Sequence, residues 1–293
     1  MEPIPAVSPM PAAEHWSWRM RGYLRLIHPF PVGMNAVAAV AFALLAAHGK
    51  TGTRALLLIA AAIIGSQATV GIVNDLRDRD LDAVAKPAKP LVSGRVTVRG
   101  AACVGMVMLA VALVAGAALG RLSLLFVIAM TAAGLVYDLW LKRTAVSFLP
   151  YIFGLPILPI WAWICVRDAP PRLWLTYPLG VLVGFGLHLA NALPDAERDH
   201  IGGVRGVVQV VGTRAALLLC FGSFAITILI VAALTAMRRD AAVFVLIGGA
   251  AVLLVGAAGS AALRPTMGTW QRNWGLLIGC AIGIAAAWLR ALS

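Results

Sequence analysis

Residues 54–82 read RALLLIAAAIIGSQATVGIVNDLRDRDLD. Nothing charged lies between Ala55 and Val73. About 20 apolar residues let a helix cross hydrocarbon, so 54–74 reads as a membrane span. It runs directly into Asn74-Asp75-Leu76-Arg77-Asp78-Arg79-Asp80-Leu81-Asp82, which holds four of the chain's 12 acids. Acids at membrane depth cost about 2.5–3.5 kcal/mol each on insertion scales. An acidic cluster at the end of a span therefore needs a reason, and the simplest is a bound cation.

The rest of the chain agrees with a membrane reading. Of 293 residues, 61% are hydrophobic and 12% charged, with a mean hydropathy of +0.90. Soluble domains run near half apolar and a quarter charged, so a soluble globular domain, a disordered chain and a fibrous protein are excluded. Nine spans can be marked, at about 29–48, 54–74, 99–119, 122–139, 147–165, 173–193, 214–236, 241–262 and 273–291. Pro150, Pro156 and Pro159 predict a kink in the fifth. The fold class is all-α polytopic, about nine transmembrane helices in a bundle. Residues 1–28 form a cytoplasmic or interfacial N-terminal segment, and 29–293 a single transmembrane domain. Trp16, Trp18, Arg19, Arg21, Tyr23 and Arg25 suit either a helix at headgroup level or a plain cytoplasmic flank. No cleaved signal peptide is expected.

Charge gives the orientation. The formal net charge is +12, which in a membrane protein reflects basic cytoplasmic loops rather than nucleic acid. With the N-terminus inside, 16 of the 24 Lys and Arg fall on the cytoplasmic side. The protein is thus expected in a bacterial plasma membrane, with its N-terminus cytoplasmic. Cys103, Cys165, Cys220 and Cys280 lie far apart inside apolar runs and read as free thiols.

A second acidic window, Asn191-Ala192-Leu193-Pro194-Asp195-Ala196-Glu197-Arg198-Asp199, repeats the first. Asn74, Asp78 and Asp82 recur 117 residues later as Asn191, Asp195 and Asp199. Four spans separate the windows, so both emerge on the same, cytoplasmic side. The pattern implies two pseudo-repeated four-helix halves. Residues i, i+4 and i+8 share a helix face, so each window can project an amide and two carboxylates in a column. Two facing columns make an oxygen-rich cage of the kind Mg²⁺ prefers, commonly shared with substrate phosphates. Asn74, Asp75, Asp78, Asp82, Asn191, Asp195 and Asp199 are the candidate metal ligands; Asp78, Asp82, Asp195 and Asp199 are the candidate catalytic set. The competing reading is solvated loop charge, which a shared three-residue register disfavours.

Basic residues follow the acids. Lys86-Pro87-Ala88-Lys89-Pro90-Leu91-Val92-Ser93-Gly94-Arg95 is a proline-stiffened loop. Lys86, Lys89, Lys142, Arg143, Arg205 and Arg77 are candidates to neutralise diphosphate oxygens, against a background of ordinary loop bias.

These residues together resemble the UbiA-type intramembrane prenyltransferase family. Asn74-Asp75-x-x-Asp78-x-x-x-Asp82 matches its NDxxDxxxD motif and Asp195-x-x-x-Asp199 its DxxxD motif. Lys86-Pro87-x-Lys89-Pro90-Leu91-x-Ser93-Gly94 is similar to the R-P-x-R-P-[LI]-x-S-G segment of many members, with lysine in place of arginine. Tyr137-Asp138-Leu139-Trp140-Leu141-Lys142-Arg143 resembles the Tyr…Lys-Arg element after the fourth helix, with one residue more than the commonest Tyr–Lys spacing. The resemblance implies an enzyme that binds a polyprenyl diphosphate through Mg²⁺ at both acid motifs. The prenyl group then passes, through an allylic carbocation, to an aromatic or lipid-type acceptor inside the membrane. His188, Asn35 and Tyr137 are candidates for the acceptor side. His188 could take the acceptor's proton, although a structural hydrogen bond between helices is the commoner role of a membrane histidine; Asn35 suits a cavity wall or a helix bridge. The partners implied are a prenyl diphosphate, a hydrophobic acceptor and membrane lipid, with no nucleic acid. A terpene cyclase working without an acceptor, and a cation-coupled transporter with acids at helix ends, are the alternatives.

Overall fold

The computed structural model describes residues 12–196, 205–263 and 267–293. They form α1 (Ala12–Leu26), α2 (Pro29–Ala46), α3 (Thr53–Arg77), α4 (Arg79–Ala85), α5 (Val98–Ala118) and α6 (Arg121–Val136). A π-helical turn, Tyr137–Leu141, extends α6. Then follow α7 (Leu149–Ile164), α8 (Thr176–Ala192), α9 (Val207–Val211), α10 (Thr213–Thr235), α11 (Ala241–Leu263) and α12 (Met267–Leu292). No strand occurs among the described residues. Hydrocarbon offers no partner for backbone N–H and C=O groups, so an apolar chain closes those bonds within helices.

Eight helical stretches are long and apolar enough to cross a membrane. Residues 147–165, read from sequence as one of nine spans, contain the shorter α7, with Pro156 and Pro159 inside it. In the bundle, α3 lies along α5 and α6, α7 along α8, α8 against α10, and α11 along α12.

Small residues set these approaches. A methyl group placed on Gly65 of α3 would lie 2.5 Å from the Met108 carbonyl oxygen and 2.7 Å from the Ala112 nitrogen of α5. One on Gly184 of α8 would lie 2.8 Å from the Tyr151 carbonyl oxygen of α7. Lipid tails are as apolar as leucine, so helices associate through such close packing and through polar contacts. Two such contacts are Ser66 Oγ with Thr131 Oγ1 at 2.7 Å, and Trp161 Nε1 donating to Ser123 Oγ at 2.9 Å.

Helix α1 lies against the end of α3. Leu26 is fully buried, in a cluster with Ile72, Leu91, Val96 and Ala101. Trp16, Met20 and Leu24 are exposed at a spacing of four residues, so they form an outward apolar stripe.

The Gly65 contact generates a stability prediction. Gly65→Ala should force α3 and α5 apart and cost about 1–3 kcal/mol, the range for overpacking a close contact. Gly33, with nothing within 4 Å of an added methyl, is the control. Thermal unfolding of both variants in detergent checks this; equal midpoints would refute the close α3–α5 packing.

Candidate functional site

The end of α3 sets the geometry. α3 stops at Arg77 and α4 starts at Arg79, so the helix is interrupted at Asp78. The column expected from i, i+4, i+8 spacing is therefore split into two pairs. Lys142 Nζ donates to Asn74 Oδ1 at 2.7 Å and to Asp78 Oδ2 at 2.5 Å. Lys89 Nζ donates to Asp75 Oδ1 at 2.8 Å and to Asp82 Oδ2 at 2.6 Å. Arg143 Nη2 lies 3.7 Å from Asp78 Oδ1, and His28 Nε2 lies 3.3 Å from Asp75 Oδ2. Asp75 is 2% exposed and Asp82 5%. Unpaired, such carboxylates would be too costly to keep ionised. Burial works against the Lys89 ammonium, but its hydrogen bonds to Asp75 and Asp82 prevail and hold its pKa above the ordinary lysine value.

The loop after α4 aims these lysines differently. Lys89 N bonds to Lys86 O at 3.0 Å, Ser93 N to Lys89 O at 2.9 Å, and Val96 N to Pro90 O at 3.2 Å. This compact fold turns Lys89 inward and leaves Lys86 exposed.

The π turn places the other lysine. Lys142 N donates to Tyr137 O at 2.8 Å, an i→i+5 closure. On an α-helix, residues five apart point about 140° away from each other. The wider turn absorbs the extra residue between Tyr137 and Lys142, and both side chains line the same cavity. Single π turns inside helices often mark functional sites.

That cavity has a volume of about 540 Å³. Its polar end carries Asn74, Lys142, Asn191 and His28; the rest of its wall is mostly apolar, with Phe42, Trp274 and Trp288. Asn35 Nδ2 donates to Gln67 Oε1 at 3.3 Å, and both line the cavity, so Asn35 is at once a wall residue and a link between α2 and α3.

The second window is partly described. Asn191, at the end of α8, lines the same cavity as Tyr137, whose ring meets Tyr151 edge-on with 5.3 Å between centroids. Asp195 sits half-buried in a 3₁₀ turn, Leu193–Asp195, and has a polar partner of its own. Asp199 lies outside the described residues. Arg77 and Arg205 are exposed. His188 is buried off the cavity, with Nε2 3.0 Å from Ser147 Oγ and its ring edge-on to Tyr151, 5.0 Å between centroids. Of the sequence candidates, the structure gathers Asn74, Asp75, Asp78, Asp82, Lys89, Lys142 and Arg143, with Tyr137 and Asn191 adjoining. It leaves Lys86, Arg77 and Arg205 at the surface.

Among the cavity residues that escape the sequence reading are His28 and Asp138. Asp138 did carry a signal, being an acid inside an apolar span. His28 had only its place before Pro29.

The acids suit a hard cation. Asn74, Asp75, Asp78 and Asp82 offer oxygen donors, the set Mg²⁺ takes, and each already faces an ammonium group at 2.5–2.8 Å. Among the described residues no three His, Cys, Asp or Glu side chains converge on one point. The acids form two separate seats, each bridged by one lysine.

A helical membrane bundle with a charged seat at one end of an apolar cavity is the architecture of a membrane protein that can hold an amphiphile. The sequence profile of the UbiA prenyltransferase family matches residues 35–274, and the chain belongs to that family of prenyltransferases. Digeranylgeranylglyceryl phosphate synthase of Natronomonas pharaonis is 25% identical over 218 residues, covering 72% of this chain and 76% of that protein. A UbiA homolog from Aeropyrum pernix K1 has the same fold, with a TM-score of 0.71 at 20% identity, covering 86% of this chain and 96% of the other. So does a UbiA homolog from Archaeoglobus fulgidus bound to GPP and Mg²⁺, with a TM-score of 0.68 at 20% identity, covering 93% of this chain and 100% of the other.

Lys89 should matter to the fold as well as to the site. Removing one partner of a buried ion pair leaves an uncompensated charge. Lys89→Met should lower stability by on the order of 3 kcal/mol, while exposed Lys86→Met should change it by less than about 0.5 kcal/mol. Unfolding in detergent compares the two, and equal effects would refute the inward placement of Lys89.

Proposed function

We propose that the protein transfers a prenyl group from a polyprenyl diphosphate to an aromatic or lipid-type acceptor within the membrane. The observation that carries this reading is the cavity itself: polar and cationic at the Asn74–Lys142–Asn191 end, apolar along the rest. A diphosphate joined to a prenyl chain has that same division of charge.

Asn74, Asp75, Asp78, Asp82, Asn191, Asp195 and Asp199 are the residues assigned to hold Mg²⁺. When bound, Mg²⁺ supplies charge neutralisation to the departing diphosphate. Lys142, Lys89 and Arg143 add fixed positive charge at that end, favouring a leaving group whose charge grows as the carbon–oxygen bond breaks. Tyr137 and Tyr151, which line the cavity beside Lys142, provide aromatic surface where an allylic cation is stabilised through ring quadrupoles. The apolar wall keeps water from the cation. The N. pharaonis relative favours a glycerol-lipid hydroxyl as acceptor.

The protein is an integral membrane protein by its eight long apolar helices. We place the N-terminus and both acid motifs on the cytoplasmic side, following the lysine and arginine bias. Residues 1–28 then form a cytoplasmic or interfacial segment ahead of one transmembrane domain, 29–293; the exposed stripe of Trp16, Met20 and Leu24 on α1 favours the interfacial placement of that helix.

Two measurements test this. Asp78→Asn and Asp195→Asn should each lower turnover by ~10²-fold or more, as when a charge-stabilising group is lost, and EDTA should abolish it. Mass spectrometry of products from a prenyl diphosphate, Mg²⁺ and a membrane-lipid extract reads this directly. Full turnover in EDTA would overturn the Mg²⁺ assignment. For topology, single cysteines at Ala88 and Ala196 should label only from the cytoplasmic side, and one at Ala169 only from outside. Labelling of all three from one side would overturn the orientation.

A further inference from the structure

Five described side chains that can take or give a proton line the cavity: His28, Tyr137, Asp138, Lys142 and Tyr151. Four of them are committed. Lys142 is an ammonium donor to Asn74 and Asp78. His28 stands 3.3 Å from Asp75. Tyr137 and Tyr151 meet edge-on, 5.3 Å between ring centroids, and as phenols they are weak bases. Asp138 differs. Only 9% exposed, it accepts no hydrogen bond and makes no ion pair among the described residues.

The π turn explains why. Asp138 and Lys142 are four residues apart, a spacing that pairs opposite charges on an α-helix. The i→i+5 closure from Lys142 N to Tyr137 O aligns Lys142 with Tyr137 instead. The Lys142 amine then reaches across to α3, and Asp138 is left facing the cavity. A carboxylate held at membrane depth without a partner is costly, and such residues mark functional sites.

We propose that Asp138 is the general base that takes the acceptor's proton. This rests on the transfer reading above. In that reaction the carbon–oxygen bond to diphosphate breaks, and its electron pair leaves with the diphosphate. The acceptor's nucleophilic atom forms the new bond to the allylic carbon and must lose a proton. The Asp138 carboxylate receives it. This moves the base from His188, whose Nε2 is held by Ser147 and whose ring lies behind Tyr151, off the cavity wall.

The test follows two fates of one substrate. The purified full chain in liposomes receives GPP labelled in its prenyl carbons, Mg²⁺ and a membrane-lipid extract. Diphosphate release reports departure of the leaving group; the ratio of label in coupled lipid to label in prenyl alcohol reports capture. For Asp138→Asn, nearly the same size, the capture ratio should fall ~10²-fold while diphosphate release changes by less than ~3-fold, since a general base contributes roughly 10²–10⁴. Asp138→Glu should restore part of the ratio. An unchanged ratio in Asp138→Asn would overturn the proposal. So would a parallel fall in diphosphate release, which would place Asp138 in the diphosphate seat. A wild-type chain that releases diphosphate but forms no coupled lipid would overturn the transfer reading itself, and the base with it.

Discussion

The architecture turns on the cost of placing carboxylates where water is scarce. Asp75 and Asp82 are almost fully buried, and neither could stay ionised alone. One lysine from the loop after α4 answers both, and a second, from the end of α6, answers Asn74 and Asp78. Local features that look unrelated serve these two bridges. The break at Asp78 lets α4 turn Asp82 back toward Asp75. The proline-stiffened loop points Lys89 inward. The π turn swings Lys142 onto α3. An unbroken helix through Asp78, or an α-helical turn at Tyr137, would change which side chains the two lysines reach.

The same contacts determine where the cavity can lie. Glycine and alanine let α3 approach α5, and α7 approach α8, almost backbone to backbone. Helices that touch so closely leave no room between them. The open volume lies instead in the middle of the ring formed by α2, α3, α6, α7, α8 and α12. Its charged end lies beside the two bridged pairs because α3 supplies one member of each, Asn74 and Asp75.

Much of this was readable in the chain. Hydrocarbon demands long apolar helices, so a run such as 54–74 announces itself without any knowledge of its neighbours. The acid windows stand out for the opposite reason, as charge where charge is costly. Less readable was anything settled by contacts between distant residues. Lys86 and Lys89 look alike in sequence; only the hydrogen bonds folding residues 86–96 make one inward and one outward. His188 shares a helix face with Asn191 and Asp195, yet its partner is Ser147, 41 residues away. Asp78 is no helix breaker by composition, so the separation of Asp82 from Asn74 and Asp78, and its pairing with Asp75, had no local signal. α7 shows the limit of counting spans: its 16 residues are apolar enough, but short beside its neighbours.

The split also gives a reason for lysine at 89, where many UbiA-type sequences carry arginine. A guanidinium is a flat fork that suits two oxygens of one carboxylate. An ammonium is a compact charge with three donors on a flexible stem. Asp75 and Asp82 belong to different helices, and each turns one oxygen toward the same point, 2.8 and 2.6 Å from Lys89 Nζ. A point charge can sit between them, whereas a fork would satisfy one and strand the other. Lys142 meets the same demand, with an amide oxygen and a carboxylate oxygen as its two partners. Lys89 and Lys142 are therefore each matched to two oxygens held apart, whereas Lys86, the other position where lysine replaces arginine, is exposed.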